Sequence, residues 1–155
     1  MKYQTTPLFS IPLFYANIGT VDPTTMAWVE KLEYPDEAAG HEHTADKYIL
    51  NKPKLLGLKT QIQEACNVFV KEELKVNDDV VFELQNSWIN KHSKDESNSL
   101  HWHSNAMLSG VYYIQNEPDA GDIVFNKSHL YTNLFHDTVK VSYSEPTQYL
   151  SLIHI

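Results

Sequence analysis

The 155 residues carry twelve lysines, no arginine and twenty acidic side chains, for a net charge of −8. That length suits one domain with one core, and a hydrophobic fraction of 42% is that of a globular chain rather than a disordered one. The acidic balance disfavours unassisted binding to nucleic-acid backbones or anionic membranes, no run approaches the roughly 18 apolar residues of a membrane span, and the single cysteine, Cys66, excludes an internal disulfide and fits a reducing compartment.

Residues 7–18 are apolar but interrupted by Pro7 and Pro12, which suits an edge strand or extended arm and breaks any secretory leader. Asp22-Pro23 then predicts a helix N-cap with proline in the first turn, followed by a short helix. Residues 34–47, acidic and rich in small side chains, are expected to form a loop holding His41 and His43. A second helix is expected after Pro53. Leu55, Leu58, Ile62, Ala65, Cys66 and Phe69 recur at helical spacing to about Leu74, with Lys59, Gln63, Glu64, Lys71 and Glu72 on the solvent side.

Beyond residues 77–79 the texture changes to strands, expected over 80–90, 107–115, 122–126 and 138–143, with a polar loop at 91–99. Helices first and strands afterwards predict an α+β fold, one domain over 1–155 with an arm and helices at 1–76 and a β-core at 77–155.

Within the β-rich part, His101-Trp102-His103 stands out. On extended backbone both imidazoles leave one face, about 6.6 Å apart at Cα, and two ring nitrogens can converge on one metal. Neutral imidazole suits several transition metals, so the pair does not name the ion. A third ligand must come from elsewhere, with Asp122, Glu117, His129, His136 and His154 as candidates. His41-Glu42-His43 is a second such pair, in a segment read as a surface loop, and His92 reads as a solvated loop residue. Asn86, Trp88 and Asn90 fall on one face of their strand, where polar side chains line a cavity or serve core-edge hydrogen bonds. Tyr112 and Tyr113 alternate faces. Cys66 lies on the apolar helix face as a small hydrophobe.

The order of these elements, Ser87-Trp88-Ile89-Asn90, the polar loop, His101-x-His103, Ser109-Gly110-Val111-Tyr112-Tyr113-Ile114 and Gly121-x-x-x-Phe125, resembles a 2-oxoglutarate/Fe(II) oxygenase family related to prolyl hydroxylases and common in marine bacteria and their phages. The resemblance covers most of the chain. It implies a double-stranded β-helix (jelly-roll) carrying the N-terminal helices, with Fe(II) at its open end and 2-oxoglutarate as co-substrate. On it, His101 is a metal ligand and His103 stands where the superfamily has a carboxylate. His154, 51 residues on, is the candidate distal ligand, and Tyr113 and Asn90 contact the co-substrate.

Family members continue with a Trp-rich strand, a distal His and a basic residue that grips 2-oxoglutarate. Those parts are not matched here, so the last strands are expected to be missing, residues 150–155 to be foreign to the family, and the chain as it stands to be inactive. The expected function is a dioxygenase coupling 2-oxoglutarate decarboxylation to oxidation of an unnamed substrate. The expected location is the cytoplasm, the host's for a viral protein, with neither membrane nor nucleic acid as partner. Two alternatives are a non-catalytic jelly-roll module and a cupin-like metalloenzyme that uses no 2-oxoglutarate.

Overall fold

The computed structural model describes residues 2, 4, 11–35, 42–93, 95–101, 103, 106–115, 121–126, 138–141 and 152–154, with side chains undescribed at 42, 126, 138–141 and 152–154. Asp22 opens α1 (Pro23–Val29) as the sequence requires. Its carboxylate accepts the Thr24 and Thr25 N–H groups and both threonine hydroxyls. Those hydrogen bonds, the Thr24 and then the Thr25 hydroxyl foremost, hold the Asp22 carboxyl far below its ordinary range.

Two 3-10 turns, Ile49–Asn51 and Pro53–Leu55, lead into α2 (Leu56–Val68), which ends in a π-helical turn, Phe69–Glu73. Leu55, Leu58 and Ile62 point into a core shared with Val29, Ile49, Leu50, Leu84, Ile89 and Ile114, so helices and strand segments close on one apolar cluster. Cys66 packs against its edge, and burial pushes the thiol up to about 11, as a small hydrophobe requires. Residues 11–18 run without regular structure, anchored where Phe14 stacks on Phe69 at 5.1 Å; residues 7–10 of the expected arm lie outside the described residues.

The strands are shorter than their pattern predicts. They are β1 (Glu42–His43), β2 (Ser87–Trp88), β3 (Asn90–Lys91), β4 (Ser109–Val111), β5 (Ile123–Asn126), β6 (Thr138–Val141) and β7 (Leu152–His154). All described pairings between them are antiparallel: β1 with β3, β5 with β6, and β7 between β2 and β4.

Two expectations need correction. Residues 80–86 form no strand, because the Gln63 amide reaches over from α2 and takes the Phe82 carbonyl at 2.8 Å and the Leu84 N–H at 3.1 Å, groups a neighbouring strand would use. The same bonds take Gln63 off the solvent face. The expected loop at 34–47 contains β1, whose Glu42 and His43 pair with Lys91 and Asn90. Its polar, small-residue texture conceals a strand that a distant partner specifies.

Candidate metal centre

Residues 43–50 wrap along the strand that begins at Ser87. The Ser87 N–H donates to the Lys47 carbonyl at 2.7 Å, and the buried Ser87 hydroxyl accepts from the Leu50 N–H at 3.1 Å. Thr44, also buried, exchanges backbone and side-chain bonds with Ile89, at 3.0 Å (N–H to the Ile89 carbonyl) and 3.1 Å (Ile89 N–H to the hydroxyl). Ser87 and Ile89 therefore face the core, and by alternation Trp88 and Asn90 face the other way.

That second face carries the candidate centre. His101 and His103 stand edge to face with ring centres 4.8 Å apart, and the His103 ring meets the Trp88 ring at 6.0 Å. The His101 Nδ1 lies 2.7 Å from the Ser99 carbonyl, which can only accept, so Nδ1 donates there and Nε2 is the nitrogen left to face a metal. Burial, and then the neighbouring His101, lowers the pKa of His103 and favours the neutral ring that a metal needs.

The spacing fits a shared ion. A metal about 2.0–2.1 Å from each ligating nitrogen lies roughly 3.2 Å from each ring centre, so imidazoles in adjacent positions about 90° apart hold their centres about 4.5 Å apart. Two imidazole donors so spaced fit two positions of a non-haem iron. Among the described residues no three His, Cys, Asp or Glu side chains gather as metal donors, so Asp122, exposed just before β5, does not join the pair. Glu117, His129 and His136 lie outside the described residues. His154 is described through its backbone, which is the register partner of Ser109 on β4.

Asn90 is 4% exposed and its Oδ1 has no hydrogen-bond partner among the described residues. A buried polar atom left unpaired costs roughly 1–3 kcal/mol, a cost that a bound polar ligand would remove. Tyr112 and Tyr113 lie just past β4 rather than within a strand. Tyr112 packs against the core, donates its hydroxyl to the Gly19 carbonyl at 2.9 Å and has its pKa raised by burial; Tyr113 is half-buried.

Residues 86–154 match the family model described as "Putative 2OG-Fe(II) oxygenase". This segment is similar to that family. It contains Trp88, Asn90, the His101–His103 pair, the tyrosines and β7. No curated protein and no solved structure is significantly similar to the chain. No helix among the described residues is long and apolar enough to cross a membrane.

Two members of the neighbourhood escaped the sequence reading. Lys47 holds its ammonium 5.1 Å from the Trp88 ring centre and 2.9 Å from His43 Nδ1. The same Nδ1 lies 3.0 Å from the Thr44 carbonyl and Nε2 lies 3.4 Å from the ammonium, so the ring sits between a donor and an acceptor. The turn that sets Lys47 is fixed by Asp46, which accepts the Tyr48 N–H and pairs with Lys52, both at 2.7 Å. The Lys52 ammonium first, then the Tyr48 N–H, hold that carboxyl below its ordinary range. The Asp46-x-Tyr48 turn was the available signal, but nothing in the sequence ties it to Trp88.

Proposed function

We propose that the protein is an Fe(II)- and 2-oxoglutarate-dependent dioxygenase with a jelly-roll core, acting on a substrate the site does not name. The observation that carries the reading is the pair of imidazoles with ring centres 4.8 Å apart, within the family-matched segment, on the face that also holds a buried amide oxygen without a partner among the described residues. The strand order supports the core: β7, last in the chain, lies between β2 and β4, the late return beside an early strand that Greek-key sheets make.

His101 and His103 hold the metal through Nε2 of the first and a ring nitrogen of the second, and the Ser99 carbonyl orients His101. The third protein position falls to His154, whose backbone pairs with the strand following the His pair. Asn90 offers its amide to the co-substrate, and Tyr113 its hydroxyl. Trp88 covers one side of His103 and keeps water from it. Bound Fe(II) supplies oxidative decarboxylation of 2-oxoglutarate by O₂, coupled to oxidation of the substrate and leaving succinate and CO₂.

Single-turnover succinate formation under Fe(II) and O₂ tests the reading. Succinate in proportion to bound iron is the expected result. A protein that binds Fe(II) and 2-oxoglutarate yet forms no succinate, with or without candidate substrates, overturns it. The lack of a third donor among the described residues favours one rival, a non-catalytic module, which would purify metal-free and be indifferent to His101→Ala.

A further inference from the structure

On a chain of net charge −8, residues 3–21 hold no charged side chain and no histidine. Within that stretch residues 11–18 run with no helix, turn or bend, so the backbone is extended and successive side chains alternate. Phe14 turns inward and stacks on Phe69 at 5.1 Å, at the π-helical turn that ends α2. Ile11, Leu13 and Tyr15 fall on the other side and are 87%, 47% and 54% exposed. Such a stripe leaves apolar area in water that a partner surface would cover. The backbone has a usable edge as well. Pro12 lacks an N–H, but in an extended chain its nitrogen points to the edge opposite that of Leu13. Neither Ile11 nor Leu13 makes a backbone hydrogen bond among the described residues.

We propose that residues 11–15 are a self-association strand: two copies of the chain pair antiparallel about a two-fold axis at Leu13, with Ile11 of each across from Tyr15 of the other. The inference is independent of the oxygenase reading. A two-fold contact needs a patch that complements itself, and this register supplies one. Leu13 meets its own counterpart and exchanges both backbone hydrogen bonds with it, while an aliphatic–aromatic pair flanks it on each side, a favourable cross-strand combination. Charge selects a second copy as the occupant. Two chains of net charge −8 repel over much of their surfaces but not along an uncharged strip, whereas a basic partner finds no carboxylate there to pair with. The Phe14–Phe69 stack holds the strand in place before it pairs, which lowers the ordering cost of association. Pro12 closes the other edge to pairing, so assembly stops at two chains.

Sedimentation velocity of the full chain over a concentration series tests the pairing. A contact this short belongs with small, transient interfaces, so a reversible dimer that fills at micromolar concentrations and above is expected. Leu13→Lys should weaken dimerisation about tenfold or more by setting two ammonium groups against each other at the axis, although the added lysine brings the net charge only from −8 to −7 and so eases the general repulsion. Val81→Lys, the same charge change at an exposed valine outside the arm, should leave dimerisation unchanged. The register has its own readout in a Cys66→Ala background. Facing residues lie about 5.5 Å apart at Cα, within disulfide reach, while Ile11 of one chain stands roughly 14 Å from Ile11 of the other. Leu13→Cys alone should therefore cross-link on mild oxidation; Ile11→Cys should do so only when mixed with Tyr15→Cys. A wild type that stays monomeric throughout, including one whose strip binds neutral lipid vesicles instead, overturns the proposal. So does a dimer that Leu13→Lys leaves intact, or Ile11→Cys alone cross-linking as readily as Leu13→Cys.

Discussion

In the helical layer, Leu55 is 1% exposed, Leu50 2%, and the polar groups between them are paired, Ser87 with Leu50 and Gln63 with residues 82 and 84. Along the opposite face of the strand that starts at Ser87 the rules change. Asn90 is as deeply buried as the core leucines but its amide oxygen has no partner among the described residues, and the His103 ring and the Lys47 ammonium meet one indole, with His101 beside His103. One layer has its hydrogen bonds and apolar contacts closed; the other leaves the Asn90 amide oxygen without a partner among the described residues. A strand whose two faces differ in this way uses one to fix its position and leaves the other for a ligand.

Substitutions on either side should separate the two. The largest effect on stability is expected from Leu55→Ala, which empties the centre of the core at a cost of about 2–5 kcal/mol in denaturant unfolding, with iron bound per folded chain unchanged. If iron binding fell in proportion to the lost stability, the two faces would not be independent. Ser87→Ala strands the buried Leu50 N–H and should cost about 1–3 kcal/mol, again without altering metal affinity at temperatures where the protein is folded.

Asn90→Leu reverses the sign. Removing an unpaired buried amide should leave the protein as stable or about 1 kcal/mol more stable while weakening 2-oxoglutarate binding. A destabilised variant with normal 2-oxoglutarate affinity would make Asn90 a structural residue.

The smallest effect concerns the far end of the helical layer. The Asp22 carboxyl has its folded pKa depressed, so its contribution is fully present above the unfolded value near 3.8 and is lost as pH falls below it towards the folded pKa. Asp22→Ala should lower the melting temperature slightly at pH 7, and the difference from wild type should shrink on acidification below about pH 4. A difference that grows instead would contradict the capping role.

Local chemistry made the helical layer legible. Asp22-Pro23 announces a cap and first turn, and the spacing from Leu55 to Phe69 traces α2 into its π-helical end. The His101–His103 pairing was legible for a similar reason, since a period of two sends alternate side chains to one face wherever the backbone is extended. What failed to show depends on distant partners. Residues 80–86 alternate like a strand, yet a glutamine side chain from α2 occupies their backbone groups. Residues 42–43 look like loop, and become strand only because Asn90 and Lys91 lie beside them. Lys47 reaches Trp88 through that same pairing and the Asp46 turn, a contact that composition could not single out among twelve lysines.

The most direct measurement is an anaerobic Fe(II) titration of the wild type, His101→Ala and His103→Ala, followed by absorbance on adding 2-oxoglutarate. The account predicts one Fe(II) per wild-type chain, a new visible band when 2-oxoglutarate joins it, and loss of both in each variant at an unchanged melting temperature of the metal-free protein. Variants that bind iron as tightly as the wild type, or a wild type that binds none, would contradict it.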